Sequence, residues 1–233
     1  MNRKILILIL ALEIRGVSTS ELFLREIKMK ILYLTGIIGS GKTTLEANLR
    51  RQTWAVEKND LEVALSENNE IAFIGRTSAK RGDKKIKFAG LDAYKGTQDE
   101  LLDKIRNLGE SGVKYAVLSG LRNFKPYAPK FESYGLDFEI FFNKRTTGRV
   151  VKQRMRRREE QNMETIWTEK AKVERQQTWQ ANEIERWRNL QEAYKNIKIT
   201  ILKGPTKQRI SRLLESVGRS YDHSKRIVRK AYS

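Results

Sequence analysis

An apolar run, Lys30-Ile-Leu-Tyr-Leu34, stops at Thr35 and leads straight into Gly36-Ile-Ile-Gly39-Ser40-Gly41-Lys42-Thr43. The octapeptide fits G-x-x-x-x-G-K-[ST], and its setting is that of a buried parallel strand followed by a glycine-rich turn and a helix. Chemistry demands this spacing. The glycines let successive backbone N–H groups turn toward one centre, and the helix that follows adds the positive end of its dipole. Such a loop encloses phosphate oxygens, with Lys42 reaching the β- and γ-phosphates and Thr43 binding Mg²⁺. The expected cofactors are therefore ATP and Mg²⁺. The expected contacts are Gly36, Gly39, Ser40, Gly41, Lys42, Thr43 and Thr44, with Thr43 as the metal ligand.

The remaining pattern predicts an α/β fold with a parallel sheet of about five strands covered by helices. After the first strand, Lys42 to about Arg51 favours helix, with Leu45 and Leu49 on one face. Residues 59 to 68 read as a second helix, with Leu61 and Leu65 inward, before a strand from Ile71 to Ile74. Arg76 to Lys87, rich in charge and glycine, reads as a loop. Thr97 and Glu100 form a capping box for a helix through about Leu108. Tyr115–Leu118 and Phe138–Phe142 read as buried strands, and the prolines between them forbid a regular central element. The stretch from Arg149 to Tyr194 is helix-permissive; Ile184, Trp187, Leu190 or Gln191, and Tyr194 recur at helical spacing, and the earlier part reads as too polar to be buried. A fifth strand, Ile197–Leu202, precedes a helix that carries Ile210, Leu213, Leu214 and Val217 on one side.

The domain reading is a kinase-sized unit over 29–217, with a helical basic lid at about 144–165 and a basic tail over 218–233. Residues 1–28 are expected to be a dispensable extension or a misassigned start, because a second methionine, Met29, stands directly before the first strand. Their apolar run, Ile5 to Leu12, is cut by Glu13 and Arg15 and is too short to span a bilayer. The expected location is the cytoplasm, with no membrane partner.

Lys and Arg number 47 against 28 Asp and Glu, for a net charge of +19. That excess points to a polyanionic partner, nucleic acid first. The chain has no cysteine, which excludes disulfides, thiolate metal sites and cysteine nucleophiles. Its one histidine, His223, falls in the tail.

Ser119-Gly120 stands at the end of the third expected strand, where an acid of the Walker-B type would fall, so that acid is missing or supplied elsewhere. Asp92, in Gly90-Leu-Asp-Ala-Tyr94, is either the general base that aligns an acceptor hydroxyl or a turn cap. Between Lys144 and Arg158 eight basic residues occur before any acid. Arg154 and Arg158 are the candidates for closing over the transferred phosphoryl group; a solvated charged face is the other reading. The tail, from Lys203 to Lys230, suits contact with a phosphate backbone or forms a disordered basic end.

In the order phosphate loop, acceptor region, basic lid, last strand and helix, the chain resembles the nucleotide-kinase-like P-loop kinases. Ile74-Gly-Arg76 followed by Lys87-Phe-Ala-Gly-Leu-Asp92-Ala-Tyr94 looks like the phage kinases that phosphorylate 5-hydroxymethyluracil in DNA. The resemblance implies ATP-dependent transfer to the hydroxymethyl oxygen of a base already in the polymer, inside a bacteriophage-infected host. A nucleoside monophosphate kinase, a 5′-hydroxyl polynucleotide kinase and a non-catalytic ATP-gated DNA-binding protein are the alternatives.

Overall fold

The computed structural model describes residues 29–37, 40–58, 63–81, 84–91, 94, 96–120, 122–144 and 170–225. The expectations for residues 1–28, Gly39, Asp92, Arg154, Arg158 and nearly all of the lid at 144–165 fall outside that set.

Nine strands and five helices are defined among the described residues. In chain order they are β1 (Met29–Thr35), α1 (Lys42–Gln52), β2 (Val56–Lys58), β3 (Val63–Leu65), β4 (Ile71–Ile74), β5 (Arg76–Arg81), β6 (Lys84–Gly90), α2 (Gln98–Glu110), β7 (Tyr115–Ser119), α3 (Ala128–Ser133), β8 (Leu136–Asn143), α4 (Lys170–Ala193), β9 (Ile197–Leu202) and α5 (Thr206–Glu215). The main sheet has the order β2-β3-β4-β7-β1-β8-β9. Five strands, β4 to β9 in that order, run parallel, and β2 and β3 extend one edge in antiparallel fashion. The expected five parallel strands are all present. β1 lies between β7 and β8, so these two consecutive parallel strands fall on opposite sides of it, which opens a crevice at the strands' carboxyl ends.

Alternation along the strands divides the core between two faces. Leu32, Leu34, Phe73, Val117 and Phe141 pack with Leu45 and Leu49 of α1 and with Ile210, Leu213 and Leu214 of α5. Ile31, Tyr33, Leu118, Phe138 and Phe142 pack on the other face with Leu101, Leu102 and Ile105 of α2, Phe131 of α3, and Ile184 and Trp187 of α4. Each such side chain removed from water is worth about 1.5–3 kcal/mol. The Phe138 ring stacks on Phe131 at 4.3 Å and on Trp187 at 5.6 Å. These contacts anchor the carboxyl-terminal half of α4 to the sheet.

The capping box of α2 forms as expected: Glu100 N–H donates to Thr97 Oγ1 at 3.2 Å, and Thr97 N–H donates to Glu100 Oε2 at 2.7 Å. The prolines after Phe124 sit in the first turns of a 3₁₀ turn, Lys125–Tyr127, and of α3, where a missing N–H costs nothing.

Two expectations are overturned. Part of the helix expected at 59–68 is strand β3, which pairs antiparallel with β4 through Val63↔Ile74 and Leu65↔Ala72. The Ser66–Glu70 turn between them has Asn69 at φ 58, a left-handed conformation that asparagine tolerates, and Ile71 N–H donates to Ser66 Oγ at 3.0 Å. Turn chemistry outweighed the four-residue spacing of Leu61 and Leu65. The basic segment 76–87 is likewise not a loop: β5 and β6 form a separate antiparallel ribbon, with Ala79↔Ile86 and Arg81↔Lys84 in register.

The chain past α5 returns to α1. Gln52 Nε2 donates to the Asp222 carbonyl at 3.2 Å, Asp222 N–H donates to Gln52 Oε1 at 2.9 Å, and Lys225 Nζ donates to the Gln52 carbonyl at 2.7 Å. No helix among the described residues is long and apolar enough to cross a membrane.

Candidate functional site

β1 ends at Thr35 in the middle of the sheet, and the loop beyond it crosses to α1 at the crevice. Gly36 takes φ 140 and Gly41, the residue before α1, takes φ 95, both in the region that L side chains avoid. Space is also tight at Gly36. A Cβ there would lie 3.0 Å from the Asn143 carbonyl oxygen, 3.3 Å from Gln180 Nε2 and 3.3 Å from Ser40 Oγ. The loop is thus held between the end of β8 and helix α4.

Lys42, the first residue of α1, folds back across the loop and donates from Nζ to the carbonyls of Gly36 at 2.8 Å and Ile37 at 3.1 Å. Its ammonium therefore sits within the turn, where an anion bound by the loop would meet it. Thr43 and Thr44 follow in the first turn and are half-buried, and Ser40 is buried. The structure so brings together Gly36, Ser40, Gly41, Lys42, Thr43 and Thr44. A ligating hydroxyl, a lysine and a helix N-terminus behind a close-approach glycine suit a magnesium–triphosphate group, and Thr43 would hold the metal. Among the described residues there is no cluster of three acidic or histidine side chains able to hold a metal ion. A Mg²⁺ that arrives with phosphates needs none, since it keeps water and few protein ligands.

A buried relay braces the loop from behind. Arg209 of α5, 2 % exposed, donates from Nη1 to Asn143 Oδ1 at 2.6 Å, and Asn143 Nδ2 donates to the Ser40 carbonyl at 2.9 Å. One visible signal marked Arg209: it stands four residues before Leu213, on the apolar side of α5. Gln180 of α4 is also buried against the loop, and its Nε2 has no hydrogen-bond partner among the described residues.

Ser119, and not an acid, ends β7, yet a carboxylate lies against it. Glu46 of α1 is fully buried, accepts from Arg50 Nε at 3.0 Å and Nη2 at 2.6 Å, and accepts the Ser119 hydroxyl on its other oxygen. Arg50 also lies over the Phe73 ring, 4.9 Å from its centre.

Past Ser119 the chain builds a second wall. The Tyr33 hydroxyl lies 2.9 Å from the Gly120 carbonyl and 2.8 Å from that of Arg122. Arg122 in turn donates to the carbonyls of Tyr94 at 2.6 Å and Gly96 at 3.0 Å, with its guanidinium 5.2 Å from the Tyr94 ring centre. Leu91 and Tyr94, either side of Asp92, are buried. Tyr94 and Gly96 are therefore fastened to the loop that follows β7.

Between this loop, the end of β1 and helix α4 lies a cavity of about 270 Å³, lined by Thr35, Arg122, Lys125, Phe142, Trp179 and Arg186 among others. Lys125 Nζ donates to Glu183 Oε1 at 2.7 Å and Arg186 Nη1 donates to the same oxygen at 3.1 Å. Two cations thus share one carboxylate, and Arg122 lines the same cavity. Trp179, 36 % exposed, borders the cavity, whereas Trp187 beneath it is core. Sequence reasoning placed no functional weight on either indole, and α4 does bury Gln180 and Glu183 in a stretch that reads as too polar for burial. His223 lies away from both features, its Nδ1 3.1 Å from Lys207 Nζ.

No protein-family model matches the chain, and no curated protein matches it significantly. Fold and site together define an α/β protein with a candidate phosphate-binding loop at the carboxyl edge of a mostly parallel sheet.

Proposed function

We propose that the chain is a P-loop phosphotransferase that takes the γ-phosphoryl group of Mg²⁺-bound ATP to a hydroxyl on a nucleic-acid base, with 5-hydroxymethyluracil in DNA as the acceptor. The observation that carries the reading is the Lys42 ammonium turned onto the Gly36 and Ile37 carbonyls, inside a glycine turn at the end of the central strand. The order of the parallel strands, with β1 between β7 and β8, supports it. In this reading the backbone amides and Lys42 hold the triphosphate, Thr43 binds the metal, Asp92 takes the acceptor proton, and Arg154 and Arg158 neutralise charge on the transferred group.

The cavity beside the loop supports an acceptor that is aromatic and anionic. Trp179 offers a face for a base, while Arg122, Lys125 and Arg186 suit phosphate oxygens. The +19 charge favours a polymer over a free nucleotide, because a mononucleotide needs only a local cationic pocket. A cavity of about 270 Å³ is also compatible with one nucleotide unit, which keeps a nucleoside monophosphate as the second reading.

Radiolabelled ATP offered with end-blocked DNA containing 5-hydroxymethyluracil, ordinary DNA and free nucleotides separates these readings. Label in the end-blocked modified DNA is the expected result. Label confined to mononucleotides would move the assignment to the second reading, and label only at free 5′ ends would make the chain a polynucleotide kinase.

A further inference from the structure

We propose that Ser119, polarised by the buried Glu46, does the work of the missing strand-end acid by holding the hydration shell of Mg²⁺; this rests on the Mg²⁺–ATP reading of the loop. Ser119 ends β7 in register with Leu34 of β1, two residues before Gly36, and Gly120 N–H donates to the Leu34 carbonyl at 3.1 Å. Glu46 stands three residues after Thr43 on α1, so the two are neighbours on the helix surface. Strand end, metal-binding threonine and buried carboxylate therefore meet at one place.

The hydrogen bonds decide what Ser119 can offer. Arg50 takes up one oxygen of Glu46 with two donors, and the Ser119 hydroxyl donates to the other oxygen. A serine has one hydroxyl proton. With that proton committed to Glu46, the oxygen has only acceptor capacity left, and its electron density is raised by the carboxylate it bonds. An oxygen of that kind accepts hydrogen bonds from a hydrated cation, the task of a carboxylate at this strand end. Glu46 itself, 0 % exposed, touches no ligand. It is a positioning residue that acts through Ser119.

Core stability alone does not call for such an arrangement. A buried carboxylate–guanidinium pair is about neutral or unfavourable against apolar packing of the same volume. Here it lies one turn into the helix behind the loop, against the serine at the strand end.

The test measures ATP affinity by titration calorimetry with and without Mg²⁺, with Mn²⁺ paramagnetic resonance as a second readout of metal binding to the nucleotide complex. Ser119→Val and Ser119→Thr have similar shape and differ in the hydroxyl. We expect Ser119→Val to lose about tenfold or more of the affinity gain that Mg²⁺ confers, with metal-free ATP affinity unchanged, and Ser119→Thr to keep the gain. Ser119→Ala should repeat the valine result if bulk at that position lowers the melting temperature. Glu46→Gln should lose part of the gain, and the pair Glu46→Gln with Ser119→Asp, which moves the carboxylate to the strand end, should restore it. A valine variant that keeps the Mg²⁺ gain within twofold overturns the proposal. So does an equal loss of affinity with and without metal, which would mark a purely structural role. In both of those cases the wild type still binds Mg²⁺–ATP and the phosphotransferase reading stands. A wild type that binds no ATP removes that reading and this inference together.

Discussion

The two ends of the sheet handle buried charge differently. At the amino-terminal edge Glu139 of β8 meets Lys30 Nζ at 2.6 Å and Lys198 Nζ at 3.7 Å, and accepts the Thr200 hydroxyl at 2.7 Å. The cluster closes on itself. The adjoining cavity, about 430 Å³, is larger than the one at the other end, yet its lining is largely this set of paired charges and Arg212 with Glu215. At the carboxyl-terminal edge, by contrast, Glu46 is satisfied on one side by Arg50 and on the other by a serine at the strand end, and Lys42 and Thr43 stand one turn away. Volume alone would select the wrong end. Parallel strands put the N-termini of the following helices, and their unpaired N–H groups, at the carboxyl end, so an anion is favoured there.

The sharpest way to break this contrast is Lys42→Ala. Phosphoryl transfer should fall by about a hundredfold to a thousandfold or more, with the melting temperature little changed, because the side chain serves ligand charge rather than packing. Retained turnover in a folded variant would contradict the account. Next in size, Asn143→Ala leaves the Arg209 guanidinium buried without that partner. Chemical denaturation should show a loss of about 1–3 kcal/mol, accompanied by weaker ATP binding; weakened stability with ATP affinity intact would dissociate the relay from the loop. Trp179→Ala should raise the acceptor KM with ATP affinity unchanged, by an amount equivalent to about 1–3 kcal/mol if a base stacks there.

The smallest effect belongs to the other edge. Burial raises the Glu139 pKa, but Lys30 and Thr200 outweigh it and hold the carboxyl below its ordinary value of 4.5. A depressed folded pKa contributes stability that is present above the unfolded value and is lost as pH falls through the folded one. Melting temperature in the wild type should therefore drop as pH is lowered through and below about 4.5, more steeply than in Glu139→Gln. ATP affinity near neutral pH should be the same in both. A change in ATP affinity would mean the two edges are coupled.

The strand–loop–helix unit at 29–52 was legible because its glycines, lysine and threonine are adjacent in the chain, and steric and charge requirements there are local. The capping box at Thr97 and the apolar side of α5 were legible for the same reason. β3 was not, since three residues carry too little periodicity to outweigh Leu61 and Leu65 at helical spacing. Lysines and arginines hid the alternation of β5 and β6. The pairings that finish the site join Ser119 to Glu46 across 73 positions and Arg209 to Asn143 across 66, so no local pattern announces them. What the chain did carry was the anomaly itself: a serine where an acid was expected, and an arginine on an apolar helix face.

Titration calorimetry of the purified chain with ATP in the presence of Mg²⁺ tests the central claim most directly. Saturable binding of one ATP per chain, abolished or severely weakened by Lys42→Ala, is the predicted result. The absence of any saturable heat in the folded wild-type protein would contradict it.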